Sequence, residues 1–257
     1  MLSINYDVYS LTMANKLKGK ITLITGGASP IGKAIAERLG KEGARLALTY
    51  DSSPGRAEKV CEELKNAGVE VKLFCADLSK PDVPDKLIKK VIHDFGALDI
   101  LINNASIFPE TLLGEIKEND WDQVFNTNAR GPFLLIQSAL PWLKKNSGTI
   151  VNISDINAAK PRLNMRIPYC ASKAALDSIT KALAKALAPE IRVNAVAPGA
   201  IVFPENYSEE QKNRILEEIP LKRQGHTNDI AEAVAFLLID APYITGQILS
   251  VDGGRSM

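Results

Sequence analysis

From Ile21 onward the chain alternates short, continuously apolar segments with stretches whose apolar residues recur every third and fourth position. No other feature limits the fold so tightly. Strands that are apolar on both faces are buried on both faces, and a helix between each successive pair implies a parallel sheet. The expected strands are 21–24, 45–50, 69–76, 99–102, 149–153, 191–196 and 247–251. Ile35 and Leu39, Val60 and Leu64, then Leu87, Val91 and Phe95 mark the inner faces of the first three helices. Further helices are expected over about 121–143, 169–187, 208–218 and 229–239. Right-handed crossovers turn this order into a doubly wound α/β sheet of seven parallel strands, with ligands at the carboxyl ends of the strands. No Pro/Gly-rich linker, repeat or composition shift divides 19–257, so a single domain is expected there. Residues 1–18 have weak periodicity and read as an N-terminal extension outside the core, of which the first twelve residues are expected to be dispensable.

Of the 257 residues, 46% are hydrophobic, ample for one large core. A formal net charge of +1 argues against a nucleic-acid partner. No apolar run approaches the roughly 18 residues that cross a bilayer, and the N-terminus lacks the order of a signal peptide. Cys61, Cys75 and Cys170 are odd in number and without metal-like spacing, and His93 and His226 are the only histidines, so no metal site is expected. A cytoplasmic protein acting on a small molecule, without membrane or nucleic-acid partners, is the expectation.

Three groups of residues carry chemistry. Gly26-Gly27-Ala28-Ser29-Pro30-Ile31-Gly32 follows a strand and opens a helix, where glycines admit phosphates close to the backbone and the helix N-terminus offers free N–H groups. Asp77-Leu78 and Asn104-Ala105-Ser106 follow the third and fourth strands and would line the same cleft, Asp77 accepting from an adenine amine. Tyr169 and Lys173 share a helix face one turn apart, after a strand ending at Ser154-Asp155. An ammonium beside a phenol favours the phenolate, so a lowered Tyr169 pKa and a proton-donor role are expected. Asn126 and Asn128 fall inside an apolar helix, costly unless bonded, which suggests a task for Asn128.

In order along residues 18–256, these motifs resemble the short-chain dehydrogenase/reductase family. The likeness extends to Arg192-Val193-Asn194-Ala195-Val196-Ala197-Pro198-Gly199 and to Val251-Asp252-Gly253-Gly254. It implies a single-domain Rossmann fold and an NAD(P)H-dependent oxidoreductase that forms a homotetramer. By that resemblance Tyr169 is the acid/base, Lys173 binds the nicotinamide ribose and tunes Tyr169, and Asn128 holds a water in a proton relay. Ile201, after Pro198-Gly199, would meet the nicotinamide carboxamide through its backbone.

Within the family, Asp155 stands where a catalytic serine is usual, and Ser106 where a glycine is usual, with Phe108 two residues on. Together with Pro204-Glu205, these residues look like the pteridine reductases, although arginine usually stands there in place of Pro30. That resemblance implies hydride delivery to a dihydropterin- or dihydrofolate-like ring, with Ser106, Phe108, Asp155 and Tyr169 around the substrate. The excursion over about 203–223 is expected to close over it, as long segments beside a site often do. It also implies NADP(H), whereas Tyr50-Asp51-Ser52-Ser53 at the end of the second strand carries no base for a 2′-phosphate and leans towards NAD(H). NADP(H) is the expected cofactor, with NAD(H) the alternative. The rival readings are a carbonyl reductase of the 3-oxoacyl-(acyl-carrier-protein) type, using Ser154 or Asp155, and a non-catalytic dinucleotide-binding protein.

Overall fold

The computed structural model describes residues 15–161, 165–204 and 207–257. Seven parallel strands lie in the order β3-β2-β1-β4-β5-β6-β7. They are β1 (Ile21–Ile24), β2 (Arg45–Tyr50), β3 (Val71–Cys75), β4 (Ile100–Asn103), β5 (Thr149–Ile153), β6 (Arg192–Pro198) and β7 (Ile248–Val251). The order reverses between β1 and β4, whose carboxyl ends flank the crevice where such sheets take ligands.

Alternate residues along each strand feed opposite layers. Ile24, Leu46, Leu48, Ile102, Val151 and Val196 face one core, completed by α1 (Pro30–Lys41), α2 (Pro54–Asn66) and α8 (Thr227–Ile239). Their neighbours Leu23, Ala47, Leu101, Ile150 and Val193 face the other, against α3 (Val83–Phe95), α5 (Gly131–Lys145) and α6 (Ile167–Leu187). Proline in the first turn opens α1, α2, α3, α5 and α6, where its missing N–H has no partner to lose. Helix α7 (Glu209–Glu217) starts on a reciprocal Ser208–Gln211 capping box.

The helix expected over 121–143 is two helices, α4 (Glu118–Phe125) and α5, joined by a π-helical turn at Asn126–Arg130. The core also starts earlier than expected. Leu17 is buried, and its N–H donates to the Glu42 carbonyl at 2.9 Å, so the end of the supposed extension packs on the domain. The remainder of that stretch, 1–14, lies outside the described residues, as does Glu205. Among the described residues no helix is long and apolar enough to cross a membrane.

A line of hydrogen bonds runs through polar side chains in the middle of the sheet. Asn103 Nδ2 donates to Asn152 Oδ1 at 2.8 Å, Asn152 Nδ2 to Thr180 Oγ1 at 2.8 Å, and Thr180 Oγ1 to the Leu176 carbonyl at 2.8 Å. This line joins β4, β5 and α6.

Candidate active site

The turn after β1 is held from the neighbouring strand. Thr25 Oγ1 accepts the backbone N–H groups of Asn104 and Ala105, both at 2.9 Å. Asn104 Nδ2 donates in return to Thr25 O, Gly26 O and Ser29 Oγ at 2.8, 3.0 and 3.1 Å. The amide of Asn104 therefore ties the glycine turn, in addition to lining the cleft as expected. Gly26 has φ +61°, open to glycine and strained for other residues. A Cβ at Gly32 would sit 2.3 Å from the Gly26 carbonyl oxygen, so the first turn of α1 can close on the loop only without a side chain there. Ser29 caps that helix by accepting from Gly32 N at 3.2 Å.

Two adjoining cavities run from this turn. One, of about 620 Å³, is lined by Gly26, Tyr50, Asp51, Ser52, Asp77 and Leu78, with Ala105 behind them. The other, of about 400 Å³, takes in Pro30, Ile31, Phe108, Asp155, Tyr169 and Lys173, and on its far side Pro198, Gly199 and Ile201. Ser29, Asn104 and Ser106 border both. A groove of two halves, bent around a helix N-terminus and a side-chain-free loop, fits a dinucleotide with its diphosphate at the turn. Asp77 accepts from Ser79 N at 2.9 Å, which fixes its carboxylate at the mouth of the first half. Ile201 turns its carbonyl to Gln224 Nε2, at 2.7 Å.

Two sequence-predicted residues line neither cavity. Ser53 is the N-cap residue of α2, where its hydroxyl accepts from Arg56 Nη2 at 3.0 Å. Asn128 is buried behind the site in the π-helical turn. Its Oδ1 accepts from Ile107 N at 2.9 Å, and its Nδ2 donates to Ile107 O at 3.0 Å and Ser172 Oγ at 3.2 Å. The polar group suspected of needing bonds has them, and they hold the loop after β4 against α6.

At the centre, Tyr169 Oη donates to Asp155 Oδ2 at 2.9 Å. The other oxygen, Oδ1, accepts from Asn157 N and Nδ2, both at 2.7 Å, which fixes the carboxylate on the short 3₁₀ turn Ile156–Ala158. Ser154, one residue earlier, donates its hydroxyl to Asp177 Oδ1 at 2.5 Å. Lys173 is buried, donates to the Ile153 carbonyl at 2.8 Å, and stands 5.7 Å from the Tyr169 ring centroid. Burial pulls its pKa from 10.5 down to about 8, against the opposing pull of Asp155 and Asp177.

The expected lowering of the Tyr169 pKa is reversed. Burial first, then the charge of Asp155 and its hydrogen bond, hold the phenol well above its ordinary 10.0, and Arg166 offsets only part of this. Tyr169 and Lys173 do share a helix face, but burial of the phenol, and after it the nearby Asp155 carboxylate, decide the direction.

Sequence reasoning missed Arg166, Asp177 and Arg255. Arg166 is 5% exposed, and its guanidinium lies over the Phe108 ring, 3.7 Å from the centroid. Phe108 in turn meets Tyr169 edge-on, with centroids 4.4 Å apart. Arg255 lines the second cavity and reaches Glu218 at 2.9 Å. A lone arginine or aspartate in a polar stretch carries no periodic mark, and only the fold shows that these are enclosed.

Residues 26–256 match the family model described as Enoyl-(Acyl carrier protein) reductase. The 3-oxoacyl-[acyl-carrier-protein] reductase FabG of Staphylococcus epidermidis is 43% identical over 243 residues, covering 93% of this chain and 99% of that protein. Among solved structures, a short-chain dehydrogenase/reductase from Serratia marcescens superposes with a TM-score of 0.90 at 35% identity, over 95% of this chain and all of that one. A blue fluorescent protein from a metagenomic library, in complex with NADPH, gives 0.89 at 35% identity with the same coverage. Identity of this extent over nearly the full length makes the chain a member of the short-chain dehydrogenase/reductase family, an NAD(P)-dependent oxidoreductase.

Proposed function

We propose that this oxidoreductase reduces a ring C=N in a flat, dihydropterin-like heterocycle, with NADP(H) as the preferred cofactor. The observation that carries the reading is the hydrogen bond from Tyr169 to Asp155. A nicotinamide cofactor bound in the groove supplies the hydride. Tyr169, kept protonated by its surroundings, holds the proton that the ring nitrogen requires. Lys173 and Arg166 stand near enough to stabilise the phenolate left behind. Asp155 holds the phenol in place and accepts from ring N–H groups, whereas a carboxylate facing a developing alkoxide would repel it. Ser154, the other polar group at this end of β5, has its hydroxyl engaged by Asp177 and is not free to polarise a carbonyl. Phe108 would form the wall against the ring, with Ser106 beside it.

The glycine turn, Ser29-Pro30-Ile31 and Pro198-Gly199-Ile201 would hold the cofactor along the groove, with Lys173 at its ribose. Asn128 would act from behind the site by fixing the Ile107 backbone. Ser52, Ser53 and Arg56 would receive a 2′-phosphate, with Asp51 opposing it. NADPH in a structural relative supports this choice. A homotetramer remains the expected assembly, and the stacked, partly exposed Trp121 and Phe125 offer apolar surface for it.

A second reading rests on a specific finding: 43% identity to a 3-oxoacyl-[acyl-carrier-protein] reductase favours a 3-oxoacyl thioester. The two separate in one experiment. Purified protein with NADPH or NADH is offered dihydrobiopterin, dihydrofolate or a 3-oxoacyl thioester, and nicotinamide absorbance is followed. Oxidation with the pterins supports the first reading. Oxidation only with the thioester overturns it in favour of the second.

A further inference from the structure

Arg166 is an unusual residue to find enclosed beside a reacting phenol, because a buried guanidinium must be compensated by partners. Among the described residues, its hydrogen-bond and ring partners lie on the loop after β4. Nη1 donates to the Phe108 carbonyl, Nη2 reaches Glu110 Oε1 at 2.7 Å, and the guanidinium covers the Phe108 ring. The backbone joins the same two loops: Thr111 N donates to Met165 O at 2.7 Å, next to a parallel bridge between Thr111 and Arg166. Arg166 is also the N-cap residue of α6, three positions before Tyr169. A single side chain thus clamps the segment carrying Phe108 to the helix carrying Tyr169.

The clamp determines what Phe108 can offer. One ring face lies against the guanidinium and the ring meets Tyr169 in a T-shaped contact at an interplanar angle of 80°, yet the side chain stays 37% exposed and borders the cavity. The part of the ring exposed on the cavity side is the surface left for a ligand. A cation over an aromatic ring draws π-density towards itself and holds the ring in place, and the flat surface left exposed can stack on another flat ring, the more so where that ring carries electron-donating amino groups. An acyclic acyl chain gains little from either effect.

We infer that Arg166 is a positioning residue that locks Phe108 as a stacking platform and thereby makes the site selective for flat heteroaromatic rings over acyclic substrates. The inference rests on the reading of Phe108 as the substrate wall and deepens it, and its test does not depend on turnover. A non-reducible 2,4-diaminopteridine is titrated calorimetrically into the NADPH-loaded protein, into Arg166→Met, into Phe108→Leu and into the double variant. Methionine keeps apolar cover over the ring without charge or fork, and Glu110, its side chain 43% exposed, is left with access to water. Arg166→Met is expected to weaken the pteridine about tenfold, the scale of a desolvated cation–π contact. In the Phe108→Leu background the same change is expected to do almost nothing, since the two residues act as a unit. The melting temperature with NADPH is followed for each protein.

Equal weakening by Arg166→Met in both backgrounds would overturn the inference, as would tight pteridine binding to Arg166→Met or no pteridine binding to the parent protein. Pteridine bound with the expected coupling but dihydropterin left unreduced would sink the proposed reaction and leave the platform standing. Dihydropterin reduced with no coupling would do the reverse.

Discussion

The hydroxyl of Ser154 points into α6, where it meets Asp177 at 2.5 Å, while the carboxylate of the next residue, Asp155, takes the Tyr169 proton donor. Adjacent residues at the end of β5 thus face different partners, and the serine that precedes the position of the family's usual catalytic serine is turned to a structural bond. Asp155→Asn is expected to lower kcat for the ring substrate by about 10²-fold or more, on the scale of a lost acid–base partner. Ser154→Ala is expected to stay within about fivefold of the parent, because losing one hydrogen bond to a partly buried acid costs about 1 kcal/mol. Steady-state rates of the two variants decide it, and the reverse ranking would remove Asp155 from the mechanism.

Lys173 gives a pH signature to folding. Its pKa is about 8 in the folded chain, against 10.5 when exposed. Below pH 8 both states carry the proton, and the native state bears the full cost of a buried ammonium. Between 8 and 10.5 the folded chain has released a proton that the unfolded chain keeps, so stability from this group rises with pH by up to about 3 kcal/mol. Urea unfolding of the cofactor-free protein is expected to show Lys173→Met more stable than the parent at about pH 7, with the advantage shrinking towards pH 10. A constant difference across that range would contradict the assignment.

Asn104 makes three hydrogen bonds to the glycine turn. Asn104→Ala is expected to loosen that turn and weaken NADPH binding by about tenfold to a hundredfold, from the loss of buried bonds at about 1–3 kcal/mol each unsatisfied group. Fluorescence titration of NADPH measures it, and unchanged affinity would show the turn to be rigid without its tie.

Asn128 satisfies both backbone groups of Ile107. Asn128→Leu leaves those groups and Ser172 without their amide partner, and a loss of about 2–4 kcal/mol in unfolding free energy is expected. A catalytic water held by Asn128 would instead show as a fall in kcat at unchanged stability.

Asp51 lies exposed at the end of β2, beside the site expected for a 2′-phosphate. Asp51→Asn removes a like charge that solvent partly screens, so a gain of about three- to tenfold in NADPH affinity is expected, with NADH changed little or weakened. Parallel titrations of the two cofactors give the ratio.

The strand pattern was highly legible: β1, β2 and β5 begin and end at the expected residues, because a strand covered on both faces must be apolar throughout. Helix ends were less so, since capping turns add a few residues without periodic residues of their own. The π-helical break at Asn126–Arg130 left no trace in the hydrophobic pattern, and only the two asparagines hinted at it. Most of the candidate site residues were brought to one groove, because they sit directly after strands that end on the same side. What escaped were relationships between loops distant in sequence. Arg166 reaches Phe108 and Ser154 reaches Asp177 across separations no local pattern encodes.

The line from Asn103 through Asn152 to Thr180 has a consequence for how the chain finds its sheet. Continuous apolar strands are nearly indifferent to sliding past one another by two residues, since every register buries much the same surface. A carboxamide on each of two neighbouring strands removes that indifference. Only the alignment with Asn103 beside Asn152 lets the pair meet each other, and every shifted one strands two amides in oil. The interior thus carries its own alignment mark, and β4, β5 and the helix bearing Tyr169 and Lys173 are brought to one common origin before any ligand arrives.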